Sequence, residues 1–211
     1  MGSRVTGATI LLPDAALSDA DLASNAAIAL TKLAQRAFAE WPILFTMCRV
    51  WDALATLPVT TAAADDLALI TGTPGTNAPT ISTGDVKAAG ATSRKIGFEV
   101  VLPANYEAGE TIQVSVRGGM ETTIADTAAT VDLEAWAADG DGAVSADLVS
   151  TAAQNCNSLT KADFTFSITP TGRLPGDRLL CVLTLAVNDA ATGGAVIAVV
   201  TELRLQCDTR G

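Results

Sequence analysis

The feature that most constrains this chain is strict two-residue alternation, recurring in segments with no helix between them. Val131, Leu133 and Ala135 alternate with Asp132 and Glu134, and Leu203, Leu205 and Cys207 alternate with Glu202, Arg204 and Gln206. Successive strand side chains point to opposite faces, so this pattern predicts strands with one face buried and one wet. Similar strand signals cover 96–102, 111–117 (stopping at Gly118-Gly119), 163–168, 178–187 and 195–207. Gly, Pro, Asn and Asp clusters separate them. A succession of such strands without intervening helices excludes a parallel βαβ sheet and predicts an antiparallel, jelly-roll-like β-sandwich.

The first third reads differently. Residues 18–40 predict a helix capped by Ser18, with Asp21 in its first turn and Pro42 just past its end. Leu22, Ala26, Ala29, Leu30, Leu33 and Ala37 form its apolar stripe, and Lys32, Gln35, Arg36 and Glu40 its polar face. An apolar cluster at 43–51 follows, and Trp41 and Trp51 are two of the chain's three tryptophans. The predicted organisation is a helical arm over 1–55, a Thr/Ala/Gly/Pro-rich linker with short strands over 56–93, and a sandwich over 94–211. The 56–93 segment has the alternative of joining the sandwich. Charge divides along the same line, at −1 for residues 1–55 and −9 for residues 56–211. Leu22, Leu30, Leu33, Trp41 and Trp51 are therefore the candidate interface residues. Deleting 1–55 is expected to leave a folded sandwich that has lost its docking part.

Composition excludes much chemistry. The chain has no histidine, so Ser-His-Asp and Cys-His nucleophiles, His-ligated zinc and a histidine pH switch are all ruled out. A net charge of −10 argues against sequence-independent nucleic-acid binding, which depends on Lys and Arg neutralising phosphates. No apolar run is long enough for a membrane span, and no secretory leader pattern is expected. The start Met1-Gly2-Ser3 with Thr6 matches a myristoylation pattern only formally. Cys48, Cys156, Cys181 and Cys207 lack metal or redox spacing, which predicts free thiols and folding in a reducing compartment.

The most metal-like stretch is Asp139-Gly140-Asp141-Gly142 with Asp147, a calcium candidate. Aligned on Gly142 as a calcium-loop glycine, it lacks acids at the first and last ligand positions. Asp65-Asp66 reads as a solvated loop. No nucleotide loop, no Gly-x-Ser-x-Gly and no paired-carboxylate cleft is evident, so no cofactor and no enzyme activity are expected. Trp136, on an alternating strand, is the one aromatic placed to face outward as a glycan platform; Phe98, Tyr106, Phe164 and Phe166 complete the aromatics of this region.

At Leu102-Pro103-Ala104-Asn105-Tyr106-Glu107-Ala108-Gly109 the chain resembles structural proteins of tailed bacteriophages. Leu174-Pro175-Gly176-Asp177, the stretch Ala186 to Thr192, and the arm phrases Asn25 to Ala29 and Thr31 to Ala34 add to the likeness. It spans most of 17–211 and is one of framework, not of site. The resemblance implies a capsid decoration (cement) or head-surface protein, made in the host cytoplasm and placed on the virion. Such a protein would bind and stabilise the major capsid protein shell through its N-terminal segment as a homo-oligomer, usually a trimer, with no nucleic-acid or membrane partner. The alternative is a fibre, spike or other receptor- or glycan-binding β-sandwich.

Overall fold

The computed structural model describes residues 36–87, 90–190 and 193–210. They form two antiparallel sheets packed face to face around one core. The strands are β1 (Arg36–Pro42), β2 (Ala68–Ile70), β3 (Thr80–Ser82), β4 (Gly90–Val101), β5 (Ile112–Met120), β6 (Ala128–Ala138), β7 (Gln154–Asn155), β8 (Ala162–Ile168), β9 (Arg178–Asp189) and β10 (Ala198–Arg210). The larger sheet runs β2-β3-β10-β5-β8, with β1 also on β10, and the smaller runs β4-β9-β6-β7. From β3 to β10, every step of the chain except β6 to β7 crosses from one sheet to the other. No helix among the described residues is long and apolar enough to cross a membrane.

The alternating segments fold as their pattern dictates. In β6 the odd positions from Ala129 to Ala137 are buried, and the even positions face out. Phe164, Phe166 and Ile168 of β8 pack inward beside Ile112, Val114 and Val116 of β5. Leu203, Leu205 and Cys207 of β10 complete that face, opposite Leu179, Leu183 and Leu185 of β9. β5 continues past the expected stop at Gly118-Gly119 to Met120. A Cβ on Gly118 would stand 2.7 Å from the Val199 carbonyl, where the β5–β10 register shifts between Val200 and Glu202. Glycine there lets the two backbones close over the irregularity.

The arm reading needs correction at its C-terminal end. Residues 36–40, the end of the expected helix, belong to β1, where Ala37, Ala39 and Trp41 pair with Thr209, Cys207 and Leu205. Ladder hydrogen bonds to β10, and partners for Glu40, outweigh a modest helical preference. The Glu40 carboxylate accepts from Arg204 at 3.1 Å and from the Gln206 amide. Residues 18–35, with Leu22, Leu30 and Leu33, lie outside the described residues. The boundary at 55 therefore falls inside the sandwich body, and so does the expected linker. Leu57, Leu67 and Ala68 are buried, and β2 and β3 extend the larger sheet.

The outer face of the larger sheet is a closed polar lattice. Arg204 bridges Glu40 and Asp163, each at 3.1 Å, and Asp163 also holds Arg117 at 2.9 Å. Gln113 donates to Gln206 at 2.9 Å. The β4–β5 corner is the phrase around Tyr106. Its ring is buried and its hydroxyl donates to the Glu110 carbonyl at 2.8 Å, while Gly109 supplies a left-handed φ of 83°.

A chain beginning at residue 56 loses β1 and leaves Leu205 and Cys207 without cover. It is expected to melt at least several degrees below a chain beginning at Arg36, or not to fold cooperatively. Thermal denaturation followed by circular dichroism compares the two.

Candidate functional site

The smaller sheet turns a quite different face outward. Registered across its strands are the rows Glu99–Leu180–Trp136, Gly97–Val182–Glu134 and Lys95–Thr184–Asp132. Leu180 and Val182 alternate with the buried Leu179, Cys181 and Leu183, so β9 is apolar on both faces. Such a run is what a strand covered on both sides requires.

The cover comes from the irregular segment after β1. Arg49 and Gly97 exchange backbone hydrogen bonds at 2.8 and 2.9 Å, so this segment lies along the free edge of β4. Farther along that edge, the Lys95 amide donates to the Asp65 carbonyl at 2.7 Å, and Leu67 donates to the Lys95 carbonyl at 3.0 Å. Gly97 is what allows the approach. A Cβ there would stand 3.3 Å from Trp51 Cα.

The result is an open trough of about 700 Å³. Met47, Trp51 and Leu54 wall one side and Trp136 the other, while Leu180 and Val182 make the floor. From β4 to β6 is two strand spacings, roughly 10 Å. Trp51 is held from two directions. Its indole N–H donates to Asp65 Oδ2 at 3.1 Å, and the Lys95 ammonium lies 4.6 Å from the ring centroid, a cation–π contact. At one end the Arg178 guanidinium grips Glu99 with two hydrogen bonds of 2.9 and 2.7 Å, holding the Glu99 carboxyl below its usual range.

Trp41 and Trp51, both candidate interface residues, are thus parts of the sandwich body. Trp41 is half-buried against its core, and Trp51 walls the trough. Trp136 faces outward as expected. Leu54, Met47 and the Glu99–Arg178 pair were not identifiable beforehand, because no periodicity marks the covering segment; the apolar run Leu179–Leu183 was the available signal.

Asp139, Asp141 and Asp147 do not converge. Asp139 accepts the amides of Asp141 and Ala143, and Asp141 that of Ala143, so both serve a turn. Asp147 accepts the amides of Ala135 and Val149, at 3.0 Å each. Among the described residues no group of three His, Cys, Asp or Glu side chains is placed to hold a metal ion. The four cysteines are unpaired and buried. Burial pushes the thiols of Cys48 and Cys181 up to about 12 and those of Cys156 and Cys207 to about 11, far from nucleophilic thiolates.

Asp65-Asp66 is more than a solvated loop. Asp65 positions Trp51, whereas Asp66 is half-buried and its Oδ1 has no hydrogen-bond partner. Burial, then the charges of Asp65 and Asp52, push the Asp66 carboxyl above its ordinary value.

No family model and no curated protein sequence matches this chain. Among solved structures it is similar to the CBM22-1 xylan-binding domain of Paenibacillus barcinonensis Xyn10C, at 14% identity and a TM-score of 0.40 over 80% of this chain and 97% of that one. It is similar also to the xylan-binding module CBM15, at 8% identity and a TM-score of 0.45 over 81% and 97%. A chain of infectious bursal disease virus, Gx strain, shows 11% identity and a TM-score of 0.33 over 72% and 38%. All three TM-scores lie below 0.5, a level at which nothing about ligand or assembly passes to this chain.

The raised Asp66 carboxyl has a defined consequence for stability. The folded chain holds that proton more tightly than the unfolded chain, so stability falls as pH rises from the unfolded value of 3.8 through the folded one. Asp66→Asn is therefore expected to raise the melting temperature at pH 7 and to lose that advantage near pH 3.5, in thermal melts across the interval.

Proposed function

We propose that this chain is a non-enzymatic β-sandwich module that binds carbohydrate in the trough. The observation that carries this reading is the placement of Trp51 and Trp136, from distant parts of the sequence, on opposite walls of one open trough. An indole offers a flat apolar face on which the C–H face of a sugar ring can stack. Glu99, Arg178 and Glu134 stand beside those walls as polar groups for the hydroxyl edge. A mostly apolar recess with a few fixed polar groups is the general form of a ligand site. The strand order β3-β10-β5-β8 against β4-β9-β6-β7 is that of a jelly roll. Lectin and viral capsid domains both use that architecture, so it favours neither over the other. In affinity electrophoresis against a panel of soluble polysaccharides, the intact chain is expected to be retarded by at least one. Trp136→Ala should weaken that binding at least about tenfold, roughly 1.4 kcal/mol, with an unchanged melting temperature. Absence of retardation across the panel would overturn the reading.

A second reading is favoured by a separate observation. Leu44, Met47, Leu54 and Val101 are between 52% and 76% exposed, and all belong to the covering segment or the β4 end beside it. A cluster of exposed aliphatic side chains suits docking on another protein. On this reading the chain is a capsid decoration protein, a trimer seated on the major capsid protein of a phage head, with this ridge in the contact. Electron microscopy of purified particles tests it. Density on the capsid surface is expected, and a tail or baseplate position overturns it.

A further inference from the structure

We infer that the trough takes a polyhydroxylated chain free of anionic groups and rejects uronic-acid or sulfated glycans; this rests on the carbohydrate reading above. Both tryptophans are flanked by carboxylates. Glu134 is two residues from Trp136 on the same face of β6 and stands opposite Val182 of the floor. Asp52 follows Trp51 in sequence, Asp65 holds its indole, and Asp66 lies close enough for both acids to raise its carboxyl.

The nearby cations are already engaged. Arg178 spends Nε and one terminal nitrogen on Glu99. Arg49 donates one terminal nitrogen to the Thr46 and Cys48 carbonyls, at 2.7 and 2.9 Å. The Lys95 ammonium is stacked over Trp51. No ion pair within 4 Å is formed by Glu134 among the described residues.

An ionised carboxylate only accepts hydrogen bonds, so a ligand matched to Glu134 must bring donors, as hydroxyls do. A uronate or sulfate would instead bring acceptors and a second negative charge to a surface already negative. Like charges juxtaposed at an interface are strongly disfavoured, and the penalty is relieved by salt.

The test is calorimetric titration of the intact chain at low and at physiological salt. The probes are cellohexaose, xylohexaose and mannohexaose on one side, and hexagalacturonate and a heparin hexasaccharide on the other. At least one neutral chain is expected to bind at least about tenfold more tightly than either anionic one at low salt, with the gap narrowing as salt rises. Glu134→Gln should narrow it too, and a gap unchanged in that variant overturns the role given to Glu134. Anionic chains binding as well as neutral ones overturn the inference and leave the carbohydrate reading standing. Binding of none of the five removes that reading, and the inference with it.

Discussion

The sandwich depends on β10. This 13-residue strand pairs with β1 and β3 along one edge and β5 along the other, so strands from the beginning, middle and end of the described chain meet on it. Without it, Trp41, Ile81 and Val114 would belong to three unconnected pieces. Because steps between strands cross between the sheets, almost every pairing joins residues far apart in sequence. Such a fold gains little from local contacts and is expected to form slowly and all at once. Its inward face is aliphatic, and its outward face carries the Arg204 lattice. That single strand thereby joins core formation to the solubility of the larger sheet.

The strands of residues 94–211 were legible because each has one wet and one dry face, and alternation reports that difference directly. β1 was not. Arg36 to Pro42 fits a helical stripe continued from Leu33 as well as it fits the alternation of Ala37, Ala39 and Trp41. Only the presence of Leu205, Cys207 and Thr209 opposite decides between them. Partners supplied from 160 or more residues away are invisible to local pattern. The trough was half legible. Trp136 could be placed by parity on β6, and the run Leu179–Leu183 announced a strand covered on both faces. What covers it, residues 43–67, is irregular backbone fixed by single bridges at Arg49 and Asp66, and no period encodes that.

The two outer faces divide the roles. On the larger sheet Glu40, Arg204, Asp163, Arg117 and Gln206 satisfy one another, leaving little for a partner to complete. On the smaller sheet Leu180, Val182 and Trp136 remain only partly covered. The phrases that carry the phage resemblance lie at neither face. Leu102 to Gly109 and Leu174 to Asp177 are corners, with Tyr106 buried in one and Asp177 accepting the Leu174 amide in the other. They speak to framework and leave the ligand to the trough.

Gly97 gives that trough an independence that the rest of the sandwich lacks. Because the outward position at the centre of β4 carries no side chain, the covering strap is seated on backbone atoms alone. Trp51, Leu54 and Met47 can therefore be exchanged for other side chains without altering any residue of the inner core. The architecture amounts to an invariant chassis with an interchangeable strap, and a change of ligand could be achieved by rewriting about ten residues, from Phe45 to Leu54, with Gly97 kept fixed.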